Sequence, residues 1–341
     1  VAMAAVGACA GFGAICGSSL ATAATMGRVA LPELRRMGYS GSLSTGALAA
    51  GGTLGILIPP SVILIIYSIL TEQNIAKMFL AAFVPGILAA IGYLIAIAIF
   101  VRIKPDSGPP TSYVGWRQRL ILFGQVWQIL VIFFLVIGGI YLGWFTPTEG
   151  ASIGAAGTGI MALFTKGFNF SDLVDVIKDT AVTSAMIFLV LLGAEFFNSF
   201  IALTQITNQL ATFVISNELS PYLVVFCILV LYVFLGCLMD SLAMILLTIP
   251  VFFPIIIELD FGMSVEEVAI WFGILTLIVV EVGLITPPVG LNVFIINKMA
   301  KNVPISDTFI GVLPFLISDL IRVGILFIFP GISLFLIRLL G

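Results

Sequence analysis

Long apolar runs, separated by short polar stretches, dominate the pattern of hydrophobic and polar positions along the chain. A helix needs about 20 apolar residues to span a bilayer, because each residue rises about 1.5 Å. The runs are continuous rather than alternating, so they predict α-helices. We expect full helices at 78–103, 121–143, 150–165, 180–215 and 309–339.

Four shorter apolar runs come in two adjacent pairs, each joined by a short polar tip. The first tip contains Ser18 and Ser19, and the second contains Asp240 and Ser241. Each run is too short to be a confident span. Non-helical backbone at membrane depth occurs only where protein buries it or a water-filled cavity meets it. The pairs therefore predict re-entrant helical hairpins at 1–36 and 221–258.

Two other apolar runs are interrupted near the middle by glycines followed by a pair of prolines. The sequences are GGTLGILIPP at 51–60 and GLITPP at 283–288. Proline removes a helical hydrogen bond and pushes the preceding residue out of the α region. The interruptions predict broken helices at 42–72 and 266–298, each unwound over about one turn.

These features recur in the same order, which indicates an internal repeat. The spacings agree at 13 residues in each hairpin and 4 in each break: Ser19 to Pro32, Ser241 to Pro254, Gly55 to Pro59, Gly283 to Pro287. We expect a first repeat at 1–103 and a second at 121–339. A cytoplasmic linker at 104–120 joins them.

Charge predicts the orientation of the repeats. Eleven of the 14 basic residues, Lys166 among them, fall on loops of one side if both hairpins re-enter, so that side is cytoplasmic. Five crossings between the hairpins then make the second hairpin open outward, and the two repeats are inverted. Lys77 and Arg338 fall on the opposite, outer side of the membrane. Residues 171–180 have separate apolar and acidic faces and predict a helix lying on the membrane.

Composition confirms a membrane protein, since 61% of the 341 residues are hydrophobic and only 9% are charged. An average soluble domain is about 25% charged. A soluble enzyme and a nucleic-acid binder are therefore excluded. The chain has no histidine, its four cysteines suit apolar packing, and its net charge is −3. It starts with Val1 inside an apolar run, so we expect an N-terminal part to be missing.

The tips and breaks carry the candidate chemistry, because unwound carbonyls bind Na⁺ and half-helix N-termini face anions in transporters of this kind. The first site would use the tip hydroxyls and the facing break: Ser18, Ser19, Thr22, Gly52, Gly55, Ile58. The second would use Asp240, Ser241, Gly283, Thr286. Two alternatives stay open. The hydroxyls could bond back to helix carbonyls, and Asp240 could simply cap its half-helix.

Other charges within the spans have structural explanations. Asp319 and Arg322 stand three residues apart on one helical face, which favours a neutralised pair. Glu281 adjoins the second break and could orient it. Glu149 lies in the first turn of a helix that follows a tight outer turn, where a carboxylate is favourable.

Six segments resemble the large membrane subunit of TRAP (tripartite ATP-independent periplasmic) transporters. They are GSSLATA at 17–23, PELRRMGY at 32–39, LIPPS at 57–61, FTPTE at 145–149, Met239-Asp240 and GLITPPVG at 283–290. The resemblance extends over essentially the whole chain.

The resemblance implies an elevator-type importer in the bacterial inner membrane, driven by Na⁺ and independent of nucleotide. It implies two partners, a small four-helix membrane subunit, separate or fused, and a periplasmic substrate-binding protein. The cargo would be a small organic acid, such as a C4-dicarboxylate, a sialic acid or a sugar acid. It places Na⁺ where each tip meets a break, with substrate between them, near Ser19, Thr53, Pro59, Asp240, Pro287, Asn292. Spans such as 78–101 and 309–339 would form the scaffold against which the hairpins move.

Three other functions are weighed against this one. A stand-alone Na⁺/dicarboxylate symporter would need no binding protein. An intramembrane hydrolase would need Asp240 and Asp319 as an aspartyl pair, which the surrounding sequence does not favour. A channel is disfavoured by the paired hairpins, which are typical of alternating access. We therefore expect a transporter and not an enzyme.

Overall fold

The computed structural model describes residues 1–110, 115–124, 126–165 and 167–340. The described residues form α-helices and one short 3₁₀ helix, Pro105–Ser107. In chain order the α-helices are α1 (Ala2–Cys16), α2 (Ser19–Arg36), α3 (Gly41–Leu57), α4 (Val62–Leu70), α5 (Ile75–Ile103), α6 (Trp116–Gly124), α7 (Trp127–Tyr141), α8 (Pro147–Phe164), α9 (Phe170–Thr204), α10 (Ile206–Ser216), α11 (Pro221–Gly236), α12 (Ser241–Ile257), α13 (Val265–Gly283), α14 (Leu291–Met299), α15 (Ile305–Ile328) and α16 (Gly331–Leu340). The predicted all-α membrane fold is confirmed.

The chain divides into two compact units, residues 1–111 with 197–341, and residues 112–196. In the first unit, both hairpins lie against broken helices. Hairpin arms α1 and α2 pack on α3, and hairpin arms α11 and α12 pack on α13. The second half of each broken helix reaches the other hairpin, since α4 packs on α12 and α14 packs on α2. In the second unit, α7 packs on α8.

Each hairpin turns at a capped helix start. Gly17 ends α1 with a φ of 64°, a left-handed conformation that glycine adopts without strain. The Ser18 hydroxyl then caps α2, and the Asp240 carboxylate caps α12. These side chains accept hydrogen bonds from backbone N–H groups that have no partner within the helix. Asp240 is therefore a helix cap, and a role in ion binding is compatible with it.

Both predicted breaks are present. α3 and α4 are bent by 44° across the Pro59–Pro60 segment. α13 ends at Gly283, and α14 begins only at Leu291. Both Pro–Pro bonds are cis. Among the described residues, three helices are long and apolar enough to cross a membrane, Ile75–Ile103, Phe170–Thr204 and Ile305–Ile328, or four if the bent pair forms one span.

Several predicted helix bounds are wrong. The helix expected at 121–143 is divided between α6 and α7, and the one at 150–165 begins three residues earlier. Residues 171–180 belong to the continuous α9 rather than to a separate surface helix, and 180–215 is divided between α9 and α10. The helix expected at 309–339 is divided into α15 and α16, because Pro330 cannot continue the helix.

The spans expected to form the scaffold, 78–101 and 309–339, lie with the hairpins in one compact unit. Within it, α5 and α15 both pack on α3. Their role as a scaffold stays a prediction. In the linker predicted at 104–120, residues 111–114 lie outside the described residues, as does Lys166.

Candidate functional site

A single carboxylate connects the two hairpin tips. Glu281, two residues before the end of α13, is 1% exposed. The Ser19 hydroxyl donates to its Oε2, and the Ser241 hydroxyl donates to its Oε1 at 2.8 Å. Ser19 and Ser241 are the first residues of α2 and α12. The tips of both predicted hairpins therefore meet beside the second break, at the end of α13.

The first tip and the first break meet in a dense cluster of oxygen atoms. A Cβ atom at Gly55 would lie 2.5 Å from Thr22 Oγ1 and 3.1 Å from the Ser18 carbonyl oxygen. Thr22 is fully buried, and its hydroxyl has no hydrogen-bond partner among the described residues. Glycine at position 55 thus leaves room beside two oxygens, one of which is not used by the protein.

Asn292 extends this cluster from the start of α14. Its Nδ2 donates to the Ala49 carbonyl at 3.3 Å, and its buried Oδ1 has no partner among the described residues. A Cβ at Gly52 would lie 3.1 Å from both Asn292 Nδ2 and the Ser19 carbonyl oxygen. The first tip, the first break and the second broken helix therefore converge here.

Close backbone contacts fix each hairpin against its break. A Cβ at Gly13 would lie 2.4 Å from Gly55 Cα, and one at Gly283 would lie 2.5 Å from Gly236 Cα. Side chains larger than glycine do not fit at such distances. The first arm of each hairpin therefore touches the break of its own repeat through a pair of glycines.

Other predicted residues use their polar atoms within the protein. The Thr286 hydroxyl donates to the Val282 carbonyl at 2.6 Å, and the Thr53 hydroxyl donates to the Ala50 carbonyl at 2.7 Å. These bonds run back to carbonyls of the preceding helix turn. The back-bonds that sequence left open for Ser18, Ser19 and Thr22 are absent from the hydrogen bonds that the structure describes. Pro59 is buried, Pro287 is exposed, and Ile58 is the C-cap of α3. As ligand assignments, all of these positions stay predictions.

A second buried polar network lies between α3, α5 and α15. Arg322 Nη2 donates to Asp319 Oδ1 at 2.8 Å, and Tyr93 donates its hydroxyl to Asp319 Oδ2 at 2.7 Å. Tyr93 and Thr53 are 2.8 Å apart. The neutralised pair predicted for Asp319 and Arg322 is present, and these bonds leave Asp319 no part in an aspartyl pair with Asp240.

The predicted site lists omitted Glu281, although its signal was visible. A charged side chain within a span is expensive and marks function by default. The sequence predicts that Glu281 adjoins the second break and could orient it. It does not reveal that two serines 222 positions apart, at 19 and 241, both reach this carboxylate.

The fold and this site define a helical membrane protein in which two hairpins face two broken helices, an arrangement typical of secondary transporters. Residues 1–332 match the family described as "Tripartite ATP-independent periplasmic transporter, DctM component". The chain belongs to this family, so it is a transporter permease and not an enzyme.

Curated relatives agree with this assignment. The C4-dicarboxylate TRAP transporter large permease of Pseudomonas aeruginosa is 34% identical, with 100% of this chain and 78% of the relative covered. That of Rhodobacter capsulatus is 30% identical, over 99% of this chain and 78% of the relative. The sialic acid TRAP permease of Haemophilus influenzae is 32% identical over 96% of this chain, which spans about half, 52%, of that longer protein.

Proposed function

We propose that this chain forms the transport pathway of an importer that couples inward movement of Na⁺ to uptake of a small organic acid. The observation that carries the proposal is the meeting of both hairpin tips at Glu281, beside two unwound breaks. The hydroxyl of Thr22, the side-chain carbonyl oxygen of Asn292 and the backbone carbonyl oxygens of Ser18 and Ser19 lie at the first tip and break. Unwound carbonyls at half-helix ends are the groups that hold Na⁺ in transporters of related design.

The first Na⁺ site would lie along Gly52 and Gly55, next to Asn292 and Thr22 respectively. Thr22 Oγ1 and Asn292 Oδ1 have no partners among the described residues. An oxygen that is buried without a partner costs free energy, which a bound cation would offset. The second would lie at Asp240 and Ser241, beside Gly283. Substrate would bind between the tips, near the start of α2 and α12, because helix N-termini favour anions.

Na⁺ entry supplies enough energy for uptake. One charge moving inward gains about 2.3 kcal/mol per 100 mV. Two Na⁺ ions with a monoanion would carry net positive charge inward, and with a dianion they would carry none. We propose an elevator mechanism in which the compact unit containing both hairpins and both broken helices moves as one body.

The relatives named as C4-dicarboxylate and sialic acid permeases support a small organic acid as cargo. We propose a C4-dicarboxylate, a sialic acid or a sugar acid as cargo, delivered by a periplasmic binding protein. A small four-helix membrane subunit, separate or fused, would complete the permease in the bacterial inner membrane.

Uptake into liposomes tests the proposal. The full-length permease is reconstituted with its small subunit and binding protein, and labelled succinate and sialic acid are offered as probes. We expect accumulation of one probe only with an inward Na⁺ gradient and the binding protein present. Ser19→Ala should abolish it, whereas Ser216→Ala, an exposed serine at the end of α10, should leave it unchanged.

Two results would redirect the proposal. Uptake that needs Na⁺ but no binding protein would favour a stand-alone symporter. Uptake driven equally well by K⁺ or by a proton gradient would refute Na⁺ coupling, and unitary currents would indicate a channel.

A further inference from the structure

Glu281 is a buried carboxylate without a basic partner among the described residues. Its oxygens accept only the Ser19 and Ser241 hydroxyls in the hydrogen bonds that the structure describes. The other carboxylate buried in this unit, Asp319, instead has Arg322 beside it. Removing a charge from water costs several kcal/mol unless an opposite charge compensates. Either protonation of the carboxyl or a cation bound nearby would remove that cost.

The position of Glu281 suits a cation bound at either hairpin tip. Ser19 belongs to the first predicted Na⁺ site and Ser241 to the second. One carboxylate thus holds a residue of each site by a separate oxygen atom. A cation bound near either tip is attracted to the same negative charge.

The shared carboxylate also links the two sites mechanically. Ser19 and Ser241 are the first helical residues of α2 and α12, and they come from hairpins 222 positions apart, at 19 and 241. A shift of either tip changes the position of Glu281 and hence the other tip. Ordering one tip therefore lowers the cost of ordering the other, which is positive cooperativity.

We infer that Glu281 is a positioning residue that couples the two Na⁺ sites, so that Na⁺ binds cooperatively and one site is not filled efficiently without the other. This inference rests on the proposed Na⁺ coupling. It goes further by assigning the coupling of the two sites to one side chain outside both predicted ligand sets.

The test is a Na⁺ titration of intrinsic fluorescence at constant temperature, with the melting temperature measured alongside it. The purified full-length permease is kept in detergent, and NaCl is replaced stepwise by choline chloride at constant ionic strength. We expect the wild-type binding curve to have a Hill coefficient above 1. In Glu281→Gln the half-saturating Na⁺ concentration should rise roughly tenfold, as for the loss of hydrogen bonds to a charge, and the Hill coefficient should fall to 1.

A matched control lies on the same helix. Thr276→Val removes a buried hydroxyl of α13 that has no partner among the described residues, and it should leave the Na⁺ dependence unchanged. Glu281→Asp keeps the charge but is one methylene shorter. It should recover part of the Na⁺ affinity without recovering the cooperativity, because it cannot reach both hydroxyls.

The outcomes separate this inference from the proposed function. A wild-type protein without a Na⁺-specific shift would refute Na⁺ coupling, and this inference with it. Two results for Glu281→Gln would refute the role of Glu281 and leave Na⁺ coupling standing. One is a Na⁺ response equal to that of the wild type. The other is a melting temperature that is lowered by the same amount at every Na⁺ concentration.

If Glu281→Gln does not fold, the two serines provide a second test with Glu281 intact. The effects of Ser19→Ala and Ser241→Ala on Na⁺ affinity should be non-additive in the double variant, because both act through one carboxylate. Additive effects would overturn the inference.

Discussion

At the scale of single residues, Gly55 shows how closely the first tip approaches the first break. Its position leaves no space for a methyl group beside Thr22, which is fully buried and β-branched and so cannot move aside. We expect Gly55→Ala to destabilise the protein by about 1–3 kcal/mol, as overpacking does, and to weaken Na⁺ binding. Unfolding followed by intrinsic fluorescence, with and without Na⁺, measures both effects.

Gly11 offers a control in the hairpin arm α1, which packs on α3. A Cβ there would meet nothing within 4 Å. Gly11→Ala should therefore cause no loss of stability, and alanine favours a helix over glycine. Equal destabilisation by both variants would show that the contact at Thr22 is not the cause.

The buried pair of Asp319 and Arg322 gives a second prediction at this scale. Removing one charge leaves the other uncompensated in a low-dielectric interior, so we expect Arg322→Met to cost about 3–5 kcal/mol. Adding Asp319→Asn should restore much of that loss. Denaturant-induced unfolding measures both free energies.

The control for this pair is exposed. Arg36 and Glu33 pair at 2.5 Å, with side chains 71% and 44% exposed. Water screens such pairs, so Arg36→Met should have no measurable effect. A double Asp319/Arg322 variant as unstable as Arg322→Met alone would contradict the explanation by charge.

At the scale of helices, the second hairpin depends on Asp240, which has both a capping and a proposed ligand role. Its carboxylate accepts hydrogen bonds from the N–H groups of Leu242 at 2.8 Å and Ala243 at 3.4 Å. Asparagine caps a helix about as well as aspartate, whereas alanine costs about 1 kcal/mol.

The two substitutions therefore separate the two roles. Asp240→Asn should keep the Na⁺-free stability and lose Na⁺ affinity, while Asp240→Ala should lose both. Thermal unfolding in NaCl and in choline chloride measures them. Unchanged Na⁺ affinity in Asp240→Asn would reduce Asp240 to a cap.

Hairpins and breaks could be predicted from sequence because their signals are local. Glycines, proline pairs and polar tips stand within a few residues of the structure that they cause. Pro330 is an equally local signal for the end of α15, although the apolar run at 309–339 predicts one continuous helix. The separate surface helix at 171–180 was predicted without a helix breaker, and α9 continues through it.

The centre of the candidate site was harder to predict, because it depends on contacts between distant segments. Sequence spacing placed Ser19, Ser241 and Glu281 near tips or breaks, but it could not show that the two hydroxyls reach one carboxylate. The matched glycine contacts, Gly13 with Gly55 and Gly236 with Gly283, support the predicted repeat, and they too join segments that are distant in sequence. Contacts of this kind form only when the helices pack together.

At the scale of the whole molecule, ion pairs and charge bias bear on orientation. Lys77 and Arg338 were predicted to lie outside, together with the acidic residues near 258–267. Lys77 pairs with Glu266 at 2.6 Å, and Arg338 pairs with Glu267 at 2.8 Å. These four residues therefore lie at one end of the compact unit, as the predicted topology requires.

Cysteine labelling tests which side this end faces. In a variant with the four native cysteines replaced by alanine, Glu258→Cys and Lys301→Cys each place one thiol at an exposed position. Basic loops favour the cytoplasm, so residue 301 should face inward and residue 258 outward. A membrane-impermeant maleimide added to intact spheroplasts should label position 258, and it should label position 301 only after permeabilisation.

The reverse labelling pattern would mean that the orientation in the membrane is opposite to the predicted one. It would place the binding protein against the first hairpin rather than the second. Labelling of both positions from outside would contradict the inverted relation of the hairpins, because two tips entering from one side cannot alternate access.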